Sequence, residues 1–591
     1  MIRNSIFLLA VLIAGCSNQQ QRQAIETEDP FEETVLQIVD TESLILDLGP
    51  YVSRIADALV ESPQSKGVLR EFFAAETKYT ADENSTPRTT DFLLDELWQP
   101  FLGQRKFIEC QFGTESGLLH KDKQRFDMMT VFEGKLRDGD ALIGVKATQT
   151  ITWTKINKLW TVTQWKGHSF DVSQSEPLFK DVTASCLPDQ QTFEAVSRAS
   201  HQERVLDVVR SKKVMQPMID GLPGFNDWES IWQFPSASVV DYDGDGWDDV
   251  FLTDRWTGGQ MLRNVRGQFE DVTKACGLSI GPHCNCVVFA DFDNDGDPDA
   301  FVGRSIEDSE FFINENGTFR RDRSMTDELK LVRFVTAGSV ADFNNDGLLD
   351  LYLSTYVSPS GSAKQQDWMK IMLPESDWEK FNRLQSTHPF VDRSGPANIL
   401  LINDHGKLKR CKIDSTLEQW RDSFQSVWHD WDRDGDQDLF ICNDFAPDAF
   451  LRNDTTKGST EPVFTDVTAE LISPATMGYS MGGSWGDFDN DGDMDLYVSQ
   501  MYSKAGKRIL KQFAAADQRS RQSAQGNVLF RNDGDRFRQV AGSEASNIHV
   551  AKVGWSFGGQ FADFDNDGWL DLYVPSGYYT APEEVRGDQD L

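Results

Sequence analysis

The sequence predicts an all-β propeller of six countable blades, or seven, preceded by a small α+β domain. Three observations predict it. A nine-residue stretch, Asp-aromatic-Asp-x-Asp-Gly-x-x-Asp, recurs six times, starting at Asp241, Asp291, Asp342, Asp430, Asp487 and Asp563. Two other segments recur between the copies, typified by Leu262-Arg263-Asn264 and by Phe269-Glu270-Asp271-Val272-Thr273. Residues 36–175 carry none of these and read as helices first and strands afterwards.

Carboxylates at positions 1, 3 and 5 of the stretch converge if the backbone curls tightly, and Gly at position 6 permits the positive φ this needs. Position 7 then offers its backbone carbonyl, and position 9 closes a shell of hard oxygens that suits Ca²⁺. Loop 1 supplies Asp241, Asp243, Asp245 and Asp249 with the Trp247 carbonyl; loop 2 supplies Asp291, Asp293, Asp295 and Asp299 with that of Asp297. Loop 3 has Asp342, Asn344, Asp346 and Asp350 with the Leu348 carbonyl, and its Asn344 carries less charge, so weaker binding is expected there. Loop 4 has Asp430, Asp432, Asp434 and Asp438 with Asp436; loop 5 has Asp487, Asp489, Asp491 and Asp495 with Asp493. Loop 6 has Asp563, Asp565, Asp567 and Asp571 with the Trp569 carbonyl.

These are not EF-hands, which need Glu at position 12 and flanking helices. Position 12 is Leu252, Val302, Leu353, Ile441, Val498 and Val574, and position 11 is always Phe or Tyr. A short β-branched and aromatic run after each loop reads as a buried strand, so each loop is the tip of a β-hairpin. Asp-Asn-Asp-Gly is also ordinary turn chemistry. Six copies sharing ligand spacing and both aromatic positions argue for metal, about six Ca²⁺ in all.

Taken in order, the chain opens with Arg3 and the apolar run Ile6–Ile13, too short to span a bilayer and typical of a targeting segment. Ile13-Ala14-Gly15-Cys16 resembles the lipobox of bacterial lipoproteins. The resemblance implies cleavage before Cys16, lipidation of Cys16 and, with Ser17 following, sorting to the outer membrane of the cell envelope. Residues 17–35 are expected to be an acidic tether. In residues 36–175, helical periodicity runs over Pro50–Ser62, Ser65–Ala75 and Thr90–Leu102. Strands are expected at Phe107–Phe112 and Phe126–Leu136, then a hairpin Ile151–Ile156 and Leu159–Trp165 turned at Asn157-Lys158. This layout resembles the cone of nuclear transport factor 2-like proteins, in which Trp153 and Trp165 would line a pocket; core packing is the commoner role for such residues.

From residue 176 the repeat domain begins. Its unit is strand, calcium loop, strand, turn, LxRN strand, turn, FxDVT strand. Four short antiparallel strands at a spacing near 50 residues describe a propeller blade. Loop starts are separated by 50, 51, 88, 57 and 76 residues, the excess falling in polar, partly helical inserts around Gln365–Arg393 and Ser503–Gly526. Residues 190–214 read as an amphipathic helix. The loops resemble those of integrin α-subunit propellers. With LxRN, FxDVT and Asn443-Asp444-Phe445-Ala446-Pro447-Asp448, the chain is similar to bacterial relatives of cartilage acidic protein, the FG-GAP or VCBS repeat proteins that often carry an ASPIC/UnbV segment. The resemblance implies a calcium-loaded, usually seven-bladed propeller whose position 1, 3, 5 and 9 side chains and position 7 carbonyls are ligands. The chain departs from that pattern at both ends. Phe179–Thr183 is an expected outer strand with no hairpin before it, and the sixth hairpin has no LxRN or FxDVT strand after it. The two complete each other with one strand short, so either the chain is truncated near Leu591 or the last blade is three-stranded; no ASPIC/UnbV segment follows Tyr579.

The net charge of −36 is largely the 23 ligand-position aspartates, and six Ca²⁺ would cancel about a third of it. Such a surface favours cations and basic partners over nucleic acid or anionic membranes. Of eight cysteines, seven remain after Cys16, an odd number; a disulfide among Cys276, Cys284 and Cys286 is one expectation, and buried apolar roles for Cys110 and Cys442 another. Two functional readings follow. One is a lipid-anchored binding or adhesion scaffold for a protein or polysaccharide at the cell envelope. The other is a polysaccharide-active hydrolase or lyase. No nucleophile elbow, HExxH or P-loop is present, so no catalytic residue is assigned, and His283 and His429 read as structural.

Overall fold

The computed structural model describes residues 30–61, 73–80, 86–89, 107–139, 141–175, 179–198, 236–254, 257–325, 328–357, 369–370, 372–384, 392–472, 477–503, 523–542 and 548–576. The targeting segment, Cys16, the expected helix at 90–102 and the chain beyond Ser576 lie outside these residues. Two compact units are present, one carrying the N-terminal residues through Asp181 and the other the later repeats.

In the first unit, helix α1 spans Pro30–Glu61. It starts inside the expected tether, because Pro is favoured in a first helical turn, where its missing N–H has no partner to lose. Of the expected stripe Val52, Ile55, Ala56, Leu59 and Val60, the first four are buried and Val60 is half-buried, and the buried face extends N-terminally through Ile38, Ile45 and Leu48. Strands β1 (Phe73–Thr80), β2 (Arg88–Thr89), β3 (Phe107–Leu119), β4 (Arg125–Asp138), β5 (Ala141–Ile156) and β6 (Leu159–Ser175) form one sheet in the order β2-β1-β6-β5-β4-β3. Residues 73–75, expected to be helical, are therefore strand: β1 pairs in parallel with β6. The predicted hairpin is present, with Ile156 opposite Leu159 and both turn residues, Asn157 and Lys158, at positive φ, as a two-residue turn matching strand twist requires. Trp153 and Trp165 are core residues, buried with Phe126, Met128 and Ile151. A Cβ at Gly117 would stand 2.6 Å from the Phe126 ring and 3.1 Å from Ile45, so this glycine lets α1 lie close on the sheet.

The second unit opens with α2 (Thr183–Cys186) and α3 (Gln190–Ser197), the latter capped by Asp189, whose carboxylate accepts the Thr192 N–H. Phe179–Thr183 is not the expected strand: Phe179 and Val182 are exposed, and no ladder includes them. A strand needs a neighbouring strand for its backbone groups, and the other copies have an LxRN strand beside them.

Five four-stranded antiparallel sheets follow in chain order. The first is β7 (Ala237–Val240), β8 (Asp249–Asp254), β9 (Gly258–Val265) and β10 (Gln268–Asp271). The second is β11 (Cys284–Ala290), β12 (Asp299–Arg304), β13 (Glu310–Asn314) and β14 (Phe319–Arg321). The third is β15 (Val335–Ala341), β16 (Asp350–Thr355), β17 (Ile399–Asn403) and β18 (Leu408–Arg410), with α4 (Glu375–Leu384) in the insert before β17 and α5 (Ser415–Glu418) after β18. The fourth is β19 (Asp422–His429), β20 (Asp438–Asp444), β21 (Ala449–Asn453) and β22 (Phe464–Asp466), followed by α6 (Thr468–Leu471). The fifth is β23 (Ser480–Gly486), β24 (Asp495–Gln500), β25 (Val528–Asn532) and β26 (Phe537–Ala541). A sixth hairpin, β27 (Gln560–Ala562) and β28 (Asp571–Tyr573), has two strands among the described residues. The first strands of consecutive sheets pack on one another throughout, β7 on β11 and so on to β27. Phe251, Phe301, Tyr352, Phe440 and Tyr497, the position 11 aromatics, are fully buried between sheets. The expected disulfide is absent. All seven described cysteines are free thiols, and Cys284 and Cys286 lie two residues apart on one strand, where the Cys284 thiol donates to the Cys286 carbonyl.

Side chains staple neighbouring sheets at both ends. At the loop end, the LxRN asparagine reaches back. Asn314, Asn403 and Asn453 donate Nδ2–H to the carbonyls of Tyr242, Phe292 and Phe343, position 2 of the preceding loop, at 2.8, 2.7 and 2.7 Å. At the other end, the residue before the third strand reaches forward. Asn398 accepts the Thr355 N–H and donates to Ser423 of the next sheet; Asp448 accepts from Asn443 N and from Ser480; Asn527 accepts from Gln500 N and donates to Ser556. These groups are buried, so each lost staple strands a polar group. Asn453→Ala is expected to cost about 1–3 kcal/mol in urea unfolding, because the buried Phe343 carbonyl and the half-buried Gln437 carbonyl lose their donor. Asn264→Ala, whose side chain bonds the exposed Asp248 carbonyl and the exposed Gly267 N–H, is expected to cost clearly less.

Candidate metal centres

All six nine-residue stretches are hairpin tips, and they share one internal geometry. The position 1 aspartate accepts two backbone N–H groups, from positions 5 and 6: for Asp487, from Asp491 at 3.1 Å and Gly492 at 3.0 Å, and likewise for Asp241, Asp291, Asp342, Asp430 and Asp563. Position 5 accepts the N–H of position 7 at 2.8–3.0 Å in every loop. Gly at position 6 has positive φ in all six, as expected. Position 4 does too, at 56–68°, and this was not read from the sequence. Gly244, Asn294, Asn345, Asn490 and Asn566 suit that conformation, and Arg433 adopts it at 61°.

Position 4 side chains also link the loops. Asn294 donates to the Gly347 carbonyl of loop 3 at 3.0 Å, Asn345 to that of Gly435 in loop 4 at 3.3 Å, and Asn490 to that of Gly568 in loop 6 at 3.0 Å. Arg433 bonds the Gly492 carbonyl and the Asp493 carboxylate of loop 5. Loop 1, with Gly244, makes no such forward bond among the described residues.

The predicted carboxylates converge. Ligand oxygens of Asp241, Asp243 and Asp249 lie within 4.8 Å of one another, as do those of Asp291, Asp293 and Asp295, of Asp430, Asp432 and Asp438, of Asp487, Asp489 and Asp495, and of Asp563, Asp565 and Asp571. In loop 3, Asn344 keeps the turn: its Oδ1 accepts Asp346 N, and its Nδ2 donates to Asp346 and to the Ser459 carbonyl. Cation fit can be judged from the oxygens left over. Position 9 accepts the LxRN asparagine N–H with Oδ1 in loops 1–5, at 2.6–2.9 Å. Yet Asp299, Asp350 and Asp438 have buried Oδ2 atoms with no hydrogen-bond donor, and so do Asp243 and Asp489 at Oδ1. A buried carboxylate oxygen without a donor fits a hard cation. The donor set suits Ca²⁺, with aspartates and the position 7 carbonyl as its holders.

Burial, the largest cause, pushes the position 9 carboxyls up: Asp299 and Asp350 to about 7, Asp438 to about 8 and Asp495 to about 6. Neighbouring ligand carboxylates push the same way, while backbone N–H groups oppose.

A second convergence of charged groups lies at the far end of the hairpins, in the Asn443–Asp448 stretch. Arg393 bonds Asp422 at 2.6 Å and stands 3.8 Å over the Phe445 ring, while the Tyr356 hydroxyl donates to Asp444 at 2.8 Å. Arg393, Asp422, Asp444 and Tyr356 are all buried, and burial lifts Asp444 to about 7. With Asp422 also accepting the Val357 N–H, these bonds form a clamp fixing the end of the insert to the fourth sheet. His283 bonds Glu307 at 2.6 Å and His429 packs on the Trp485 ring, both structural as expected.

Two fourth strands went unread in the sequence, β14 and β18. Their signal is the spacing Asn-x-x-Gly-x-Phe/Leu, as Asn314-Gly317-Phe319 and Asn403-Gly406-Leu408, shared with Asn264-Gly267-Phe269. Gly317 and Gly406 have positive φ, and a Cβ there would reach 2.9 and 2.7 Å from Asp243 and Asp293 of the preceding loop.

Comparison with known proteins agrees with the repeats. Residues 241–302, 292–353, 430–498 and 513–574 match the FG-GAP-like repeat family. The chain thus carries FG-GAP-like repeats built on acidic hairpin tips. No curated protein matches it. Among solved structures, a type 2 hexachlorocyclohexane dehydrochlorinase (LinA) is similar at 17% identity, covering 22% of this chain and 93% of that one, with a TM-score of 0.15. A conserved protein from Planctomyces limnophilus DSM 3776 is similar at 14%, covering 23% and 98%, with a TM-score of 0.18. At TM-scores this low the likeness decides nothing about this chain. No helix among the described residues is long and apolar enough to cross a membrane.

Two outcomes are expected. Asp438→Asn keeps an acceptor for Asn453 N but removes a buried charge. It should raise the melting temperature in chelator and lower it in saturating Ca²⁺, a change of sign that calorimetry reads directly. The pH dependence follows from the same groups. A carboxyl whose folded pKa lies above its unfolded value of about 4 binds more protons in the native state. Metal-free protein should therefore lose stability as pH rises from about 5 to 8, while Ca²⁺ affinity climbs over that window; parallel chelator melts at pH 5, 6.5 and 8 check this.

Proposed function

We propose that this chain is a calcium-loaded β-propeller that serves as a lipid-anchored, extracytoplasmic binding scaffold for a protein or polysaccharide at the cell envelope. The observation that carries the reading is the set of six acidic hairpin tips, five of them with unsatisfied buried carboxylate oxygens, repeated on FG-GAP-like units. Several ions stiffening one row of loops produce a rigid surface, which is what recognition without conformational change requires. Ring closure is supported by the two ends of the sheet series. Val239 on β7 is 65% exposed where its counterparts Phe289, Val340, Trp428 and Trp485 are half-buried, and Tyr573 on β28 is 55% exposed where the position 11 residues of loops 1–5 are buried. The lipid anchor and the outer-membrane location rest on Leu12-Ile13-Ala14-Gly15-Cys16 and on the resemblance it carries.

Metal analysis by mass spectrometry should return about six Ca²⁺ per chain, and chelation should lower the melting temperature by well over 10 °C. A calcium-free chain with an unmoved melt would end the calcium reading. Envelope polysaccharides and envelope proteins should be captured with Ca²⁺ and released by chelator. Cys16→Ser should move the protein from the membrane fraction to the soluble one.

A further inference from the structure

The arginine of the LxRN segment is present in three sheets, and its position differs among them. In the fourth sheet, Arg452 is held by Asp454, with Nε to Oδ1 at 2.9 Å and a second bond to Oδ2 at 3.3 Å. In the fifth, Arg531 is held by Asp533 at 2.6 Å and pairs more distantly with Asp489 of loop 5, at 3.9 Å. In both, the aspartate follows the asparagine directly, giving Leu/Phe-Arg-Asn-Asp. In the second and third sheets the arginine is replaced by Ile313 and Ile402.

The first sheet reads Leu262-Arg263-Asn264-Val265. Val265 cannot hold a guanidinium, and Arg263 turns instead onto its own metal loop. Its Nε stands 2.7 Å from Asp243 Oδ2 and its terminal nitrogen donates to Asp245 Oδ2 at 3.0 Å. These are the position 3 and position 5 ligands. Asp245 already gives its Oδ1 to the Trp247 N–H, so both of its oxygens are engaged. Asp243 retains one buried oxygen, Oδ1, without a donor.

We infer that Arg263 is an internal counter-cation of the first loop, competing with Ca²⁺ for Asp243 and Asp245. Loop 1 has four aspartates, yet its affinity ranks with that of the asparagine-containing loop 3, not with loops 2, 4 and 5. As Ca²⁺ falls, loop 1 empties early and the guanidinium takes over part of the cation's charge, so this loop loses less order than the others. Its isolation agrees with this, since Gly244 supplies no side chain to bond loop 2. The inference rests on the calcium reading of the loops.

Trp247, at position 7, gives the first loop its own reporter. Tb³⁺ is titrated into the full chain with tryptophan excitation, and Ca²⁺ is used to compete. The luminescence component that disappears in Trp247→Phe belongs to loop 1. Removing one positive charge near two ligand carboxylates should tighten that component about tenfold in Arg263→Gln. Val265→Asp should tighten it as well, by giving Arg263 the anchor that Arg452 and Arg531 have, with no change in the side chains that face the metal. An unchanged or weaker loop 1 in both variants, with the other components intact, overturns the role of Arg263 alone. Absence of Tb³⁺ and Ca²⁺ binding in every protein overturns the calcium reading and this inference together.

Discussion

The second unit depends on five buried carboxylates: Asp249, Asp299, Asp350, Asp438 and Asp495, the last ligands of loops 1–5. Each opens the second strand of its sheet and bonds the backbone of the third strand through one oxygen. A single residue thereby sets hairpin, loop and third-strand register at once. The cost is a carboxylate taken out of water among other carboxylates, which no apolar core can offset locally. A divalent cation would resolve the conflict, and the geometry that makes the metal-free loop uneasy is compatible with Ca²⁺.

Sheet-to-sheet order follows from side chains that belong to the repeat. The asparagine of LxRN binds the preceding loop in the second to fourth sheets, the position 4 residue binds the following loop from loops 2–5, and the residue before the third strand binds a serine of the next repeat in the third to fifth sheets. Between these two polar rows lie the position 11 aromatics and the aliphatic residues of the second strands. Position 2 aromatics Tyr242, Phe292 and Phe343 take part through their carbonyls as well as their rings. Arg393 with Asp422, Asp444 and Tyr356 adds a third kind of tie, specific to the long insert.

The hairpins, the third strands and three of the outer strands were legible because their determinants are local: turn residues, alternation and a repeated spacing. Two outer strands were not, since Phe319–Arg321 and Leu408–Arg410 lack the Asp-Val-Thr that marked the others and are placed by pairing with β13 and β17. Phe179–Thr183 shows the converse. Its sequence nearly duplicates Phe464–Thr468, yet only the latter contributes a strand, Phe464–Asp466, because β21 stands beside it. The cysteines mislead for a related reason. Spacing brought Cys284 and Cys286 together in the sequence, but extended backbone in a buried strand leaves them as adjacent thiols, with Cys286 pushed up to about 12 by burial.

By itself the sequence determined the acidic motif and the class of hairpin that presents it, since both depend on residues within nine positions of one another. Tertiary structure decided how each site is charged. Arg263, Arg452 and Arg531 occupy the same place in the repeat, and only their surroundings separate a guanidinium that is held by a neighbouring aspartate from one that lies on a metal loop. The depth to which the position 9 carboxylates are buried was likewise set by strands far away in the chain. Electrostatic energy depends on distance and solvent access, and neither is a property of any segment alone.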